Sequence, residues 1–205
     1  MGSIFFEKNR LFPKREYSDL PPGTISDVEK RQLPNFTRKM GILYLGSTRY
    51  PNSGFKTFMT FSEKYKESYN FFVLSGDQGL DLTLPLSSIH LDKLDRKEIP
   101  KFIQQNNIAY ALHTRPRNMY DDITFPIKVL DFISLQIPFI SERHLPLINL
   151  LSIKYDLFMS FDDLDFIHSK IQTIGIEKYK EYSEMLYQLS IENTYDRRYK
   201  KLLTQ

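Results

Sequence analysis

A doubly wound α/β domain, Rossmann-like with a parallel sheet, is predicted by three features of the sequence. Short apolar runs recur at 41–46, 70–75, 86–91, 108–112 and 137–141. Amphipathic stretches at 55–67, 97–106 and 126–135 fall between them, and glycine or polar turns close several of the runs. Strands covered by helices on both faces lose the in-out alternation of a half-solvated sheet and become near-continuous apolar runs.

The elements follow in order. Residues 1–38 carry Pro13, Pro21, Pro22 and Pro34 amid mixed charge. They are expected to form an extended leading segment or linker, ordered where Phe5, Phe6, Leu11 and Phe12 find apolar surface. The domain proper is expected over 39–205. After the fifth run, 145–151 is apolar enough for a buried helix, and 157–161 suits a last short strand. Asp162 and Asp163 are placed to start a helix over 163–173, because a side-chain carboxylate can accept from the unpaired N–H groups of a first turn. Two extra C-terminal helices are expected at 176–189 and 192–203. In the first of them Tyr179, Tyr182, Leu186 and Leu189 recur at helical spacing, which indicates packing rather than a ligand platform.

Composition excludes several classes. The 205 residues include no Cys, so there is no disulfide framework, thiol nucleophile or Cys metal site, and a reducing compartment is expected. His90, His113, His144 and His168 lack metal-ligand spacing, and no metal or other cofactor is expected. A net charge of +3 is too small to indicate nucleic acid, though it suits peripheral work beside an anionic membrane surface. No apolar run approaches the ~20 residues of a membrane-spanning helix, and the start lacks the pattern of a signal peptide. The predicted location is cytoplasmic, including the inner face of the membrane. Gly-x-x-x-x-Gly-Lys-Ser/Thr is absent, and Gly76-Asp77-Gln78-Gly79 does not open a dinucleotide fingerprint.

The most informative stretch is 121–140. A polar loop containing Thr124, a candidate N-cap, leads through Pro126 into a helix and then the run ending at Ile140. Proline suits a first helical turn because its missing N–H would be unpaired there. A loop feeding a helix N-terminus gathers free N–H groups and positive dipole, which suits phosphate. Lys128 and Asp131, three residues apart, can face the same side. On spacing alone an ordinary surface ion pair is the simpler reading.

The pattern Pro126-x-Lys128-Val-x-Asp131-Phe-Ile-x-x-x-Pro138-Phe-Ile resembles the nucleotide-binding helix of GT-B glycosyltransferases, especially the bacterial group 1 enzymes that build surface polysaccharides. Gly41-Ile-Leu-Tyr-Leu-Gly46-Ser47 resembles that family's first strand and glycine turn. Phe71-Phe-Val-Leu-Ser-Gly76-Asp77-Gln-Gly79 resembles its second. Leu86–Leu91, Arg96–Phe102 and Asn107–His113 resemble the strand, helix and strand that follow, so about residues 40–200 are covered. Two departures stand out: the acid is Asp131 rather than Glu, and the usual glycine after the helix is Gln136.

The resemblance implies a single domain equivalent to the C-terminal, donor-binding half of a GT-B enzyme. The substrate would be a nucleotide diphosphate sugar, its sugar passing to a glycan, lipid-linked or protein acceptor. Asp131 would accept from ribose hydroxyls, and Lys128 would lie near phosphate. Thr124, Gly76, and the turn residues Gly46, Ser47 and Arg49 complete the candidate donor site; Lys56 is a further cation for the diphosphate. The loop after the first run is equally an ordinary Gly/Pro turn. His113, Arg115 and Arg117 follow a strand that should end at the ligand crevice, and solvated loop charge is their simpler reading. No catalytic residue is assigned. An N-terminal acceptor-binding domain or a partner subunit would be needed for turnover. The alternatives are a non-catalytic GT-B-like or flavodoxin-like interaction module acting with a partner, and a sugar-nucleotide epimerase, whose acidic and His catalytic set is not found here.

Overall fold

The run opening at Gly41 forms the central strand β1 (Gly41–Leu45), and four parallel strands assemble around it: β2 (Asn70–Leu74), β3 (Ile89–Asp92), β4 (Ile108–His113) and β5 (Phe139–Ser141). Their order is β3-β2-β1-β4-β5, so the chain winds outward from β1 in one direction and then, starting from β4, in the other. This computed structural model describes residues 29–50, 52–77, 89–92, 94, 97–116, 126–151, 154–197 and 200.

Burial on both faces explains the unbroken apolar runs. All of β4 is buried, from Ile108 to His113. Neighbouring residues of β2 point to opposite faces. Phe71 meets Phe58 and Phe61 of helix α1 (Phe55–Lys64) edge-on, while Phe72 meets Phe102 of α2 (Ile99–Gln105). The two helices therefore lie on opposite sides of the sheet, as a doubly wound fold requires. Helix α3 (Ile127–Ser134) packs Phe132 on Phe139. Then come α4 (Leu145–Leu150), α5 (Leu164–Thr173) and α6 (Ile176–Glu192). Asp163 caps α5 by accepting from the Phe166 N–H at 2.8 Å. In α6 the Tyr179, Tyr182 and Leu186 stripe is buried, and the Tyr179 hydroxyl donates to the Ala109 carbonyl at 2.6 Å.

Some elements differ from expectation. The strand expected over 157–161 is reduced to one parallel bridge, Phe158 to Ser141. Helix α6 runs on to Glu192, since nothing in 176–192 breaks it, and Asn193 ends it; among the described residues beyond it, 195–197 and 200 are helical. Pro126 is not in the first turn of α3. It is extended at the N-cap position (ψ 99°), and the helix begins at Ile127. Strand β3 occupies 89–92, and residues 86–88 of the run expected there lie outside the described residues.

Residues 29–39 lie along the edge of the sheet where β4 and β5 begin, held by two left-handed residues. Asn107 (φ 51°) follows α2 and Gln136 (φ 53°) follows α3. Each exchanges two hydrogen bonds through its side-chain amide. Asn107 accepts from the Asn35 N–H and donates to the Asn35 carbonyl, and Gln136 accepts from the Arg31 N–H and donates to the Glu29 carbonyl. The Arg31 guanidinium adds bonds to the carbonyls of Ile108 and Gln136 and to the Tyr179 hydroxyl. A left-handed residue after a helix is ordinarily glycine. Here a strained but longer residue supplies the amide that glycine lacks.

At Gly41 the neighbours leave no space: a Cβ would stand 2.9 Å from the Ile108 Cα, the Ile108 Cγ1 and the Phe72 ring. Gly41→Ala is expected to destabilise the fold by about 1–3 kcal/mol, the range for overpacking a rigid core, as measured by denaturant unfolding. An unchanged midpoint would show that the β1–β4 spacing is not fixed.

Candidate functional site

The winding direction reverses between β1 and β4, and in open α/β sheets the crevice beyond the strands' C-terminal ends at such a point is where ligands bind. Four segments meet there: Gly46–Tyr50 after β1, Ser75–Asp77 after β2, His113–Arg115 at the end of β4, and Ser141–His144 at the end of β5. The first turn of α3 joins them.

Gly46 and Lys128 are brought together. Gly46 has φ +149°, a conformation all but confined to glycine, and its N–H donates to the Leu74 carbonyl at 3.0 Å. A Cβ on Gly46 would stand 2.8 Å from the Lys128 Cε and 3.0 Å from its Nζ. The glycine after β1 thus makes the notch over which the Lys128 side chain lies. Glycine is needed a second time at Gly54 (φ 76°), where a Cβ would fall 2.0 Å from the Thr114 carbonyl oxygen. The Thr114 hydroxyl donates to the Gly54 carbonyl at 2.7 Å, so the far end of the β1 loop is fastened to the end of β4. Tyr44 ties the two ends of the loop together, its hydroxyl bridging the carbonyls of Ser47 and Ser53.

The other predicted residues are placed variously. The Ser47 hydroxyl donates to the Asp77 carboxylate at 3.0 Å, and the exposed Arg49 gives its backbone N–H to the same carboxylate. Gly76 is exposed, with open space where a Cβ would be. Asp131 is half-buried on α3, one turn beyond Lys128. Lys56 is exposed on α1. Thr124 and Arg117 lie outside the described residues.

His113 is not a solvated loop charge but the buried last residue of β4, because the chain stays in the sheet one residue longer than the apolar run suggests. Its Nδ1 lies 3.0 Å from the Ser141 Oγ, and its ring is 5.6 Å from the fully buried ring of His144. Burial, then His144, Arg115 and Lys128, push its pKa down to about 3. The imidazole is therefore neutral near pH 7, with the cations Arg115 and Lys128 close enough to disfavour its protonation. Ser141 and Asp77 were not singled out from sequence. Both are polar residues just after a buried apolar run, a pattern that marks the crevice lip in a parallel sheet.

Large apolar side chains also stand exposed on this rim: Tyr50 is 64% exposed, Ile127 67% and Leu145 38%. Among the described residues no group of three or more His, Asp or Glu is arranged to hold a metal ion, and no helix is long and apolar enough to cross a membrane.

The architecture is shared with solved structures of sugar-transferring enzymes. A UDP-forming α,α-trehalose-phosphate synthase from Burkholderia xenovorans superposes with a TM-score of 0.57 at 10% identity, over 81% of this chain and 44% of that one. The lipopolysaccharide outer core galactosyltransferase WaaB gives 0.59 at 12% identity, over 90% and 53%. An E. coli trehalose-6-phosphate structure bound with UDP-2-fluoro glucose gives 0.55 at 10% identity, over 82% and 44%. The chain therefore shares its α/β fold with these structures, and it spans about half of their length. No protein-family model matches the sequence, and no curated protein matches it.

The buried imidazole has a consequence for stability. Folded His113 titrates near 3, whereas an unfolded histidine titrates at ~6.5. Between those values the unfolded chain binds more protons, so His113's contribution is full above about pH 6.5 and is lost as pH falls toward 3. Unfolding free energy measured from pH 7 to 5 should fall with acidity, and His113→Gln should flatten that slope. An equal slope in both proteins would place the titrating group elsewhere.

Proposed function

We infer that this chain binds the nucleoside diphosphate of a sugar nucleotide at the β1–β4 crevice, as the donor half of a glycosyltransferase. The observation that carries this reading is the seating of Lys128 on Gly46 at the switch point of a fold shared with sugar-transferring enzymes. Lys128 supplies charge for the diphosphate, Arg115 adds to the field, and α3 presents its N-terminus on the same side. Asp131, one turn deeper, accepts from the ribose hydroxyls. Stabilising the departing diphosphate with fixed cations and dipoles needs no covalent intermediate. The acceptor of the sugar is a glycan, lipid-linked or protein hydroxyl, and the work is placed in the cytoplasm, beside the inner face of the membrane.

A second unit of similar size supplies the acceptor side, either on the same polypeptide or as a partner subunit. Two facts support it: the chain spans 44% and 53% of two of the enzymes it resembles, and Tyr50, Ile127 and Leu145 leave apolar surface on the crevice rim. The non-catalytic interaction module is less well supported, because such a module has no need of a lysine held over a glycine notch at a ligand crevice.

Uridine or guanosine diphosphate at millimolar concentration should raise the melting temperature, since a ligand that binds only the native state stabilises it by mass action. No shift with any nucleoside diphosphate would favour the interaction module. Asp131→Ala should weaken nucleotide binding by about 1–3 kcal/mol, the range for losing a charged hydrogen-bond partner, with the fold intact by circular dichroism. If the variant instead unfolds, or binds as tightly as the original, the ribose assignment is wrong.

A further inference from the structure

The turn after β1 holds the candidate donor-site residues Gly46, Ser47 and Arg49, yet most of its hydrogen-bond donors are already taken. One carboxylate oxygen, Asp77 Oδ2, accepts from the Thr48 N–H at 2.6 Å, from the hydroxyls of Ser47 and Thr48 at 3.0 Å each, and from the Arg49 N–H at 3.3 Å. The Arg49 and Tyr50 N–H groups also reach the Ser47 Oγ, at 3.3 and 3.2 Å. Consecutive backbone N–H groups converging on one point form a nest that ordinarily receives an external anion. The Gly46 N–H is committed to Leu74 and is not part of it.

We propose that Asp77 is a built-in anion filling the nest after β1, so that it positions this loop and leaves the ligand's diphosphate to Lys128 rather than to the loop's N–H groups. The second half of this statement rests on the nucleotide-binding reading above; the first does not. Asp77 comes from the neighbouring strand's loop, so it ties the ends of β1 and β2 together across the crevice lip. Its ionisation is held by the bonds it receives: the Thr48 N–H first, then the hydroxyls and the Arg49 N–H, bring its pKa to about 2 against the opposing effect of burial. It is therefore charged throughout the neutral range and fills the nest permanently. A loop closed in this way is rigid before ligand arrives, and preorganisation lowers the ordering cost of binding.

Charge and position make opposite predictions. If Asp77 were only a nearby negative charge, removing it would tighten the binding of an anionic nucleotide. As a positioning residue, its removal loosens the loop and weakens binding.

The test uses the full chain with Asp77→Ala and Asp77→Asn. Sodium formate, a small carboxylate, is compared with sodium chloride at equal ionic strength. Formate at tens of millimolar should raise the melting temperature of Asp77→Ala and leave the unsubstituted protein unmoved; an equal response in the two overturns the filled nest. For Asp77→Asn, which keeps the shape but not the charge, the Thr48 and Arg49 amide protons should exchange at least ~10-fold faster relative to those of β1, and an unchanged ratio also overturns it. Uridine diphosphate should bind Asp77→Ala several-fold more weakly, with formate restoring the loss; tighter binding would show that Asp77 merely repels. If the unsubstituted protein does not bind the nucleotide at all, the proposed function fails, and formate rescue still decides whether the nest is filled.

Discussion

The tight fit of backbone around β1 is the constraint on which the rest of the structure depends. This strand is the centre of the sheet and the point where the winding reverses, so it is crowded at both ends. At Gly41 the Ile108 backbone approaches too closely for any side chain, which sets the β1–β4 spacing. At Gly46 the missing side chain leaves room for Lys128. The β1–β4 pairing slips by one residue between Gly41 and Ile42, so the strands are fitted at this point rather than evenly laddered. Packing at one end of the strand and access at the other have the same physical origin, a backbone without a Cβ.

Electrostatics at the crevice follow from which charges are spent on structure. Asp77 is consumed by the loop it holds, and His113 is kept neutral by burial and by neighbouring cations. The Lys128 charge is exposed over the glycine notch. Groups at the opposite edge are used differently. Arg31, Asn107 and Gln136 bind backbone and side-chain oxygens of the chain itself and serve to fasten residues 29–39. The proposed division of work is that one edge holds the chain and the other takes the ligand.

The sheet was legible because both-faces burial writes itself as uninterrupted apolar runs, and Ile42–Leu45, Phe71–Leu74 and Ile108–Leu112 could hardly be anything else. The glycine turn and α3 were legible as a pattern of residue types at fixed spacing. What the sequence did not show is partnership. Nothing local in Gly76-Asp77 reveals that the acid reaches across to Thr48, nor that Gln136 keeps the left-handed turn of a glycine while bonding to Glu29 and Arg31. His113 was misplaced for a related reason: a titratable residue after an apolar run suggests solvent, whereas Ser141 on the next strand gives it a buried partner. Such contacts join residues tens of positions apart and become visible only when the strands are set side by side.

The most direct test is a map of where a nucleoside diphosphate touches the protein. Backbone amide shifts followed by nuclear magnetic resonance during titration with uridine or guanosine diphosphate should change at Gly46, Lys128 and Asp131, around the mouth between β1 and α3. Shifts confined to the opposite edge, around Arg31, Gln136 and α6, or no shifts at millimolar nucleotide, would contradict the assignment of the crevice as the donor site.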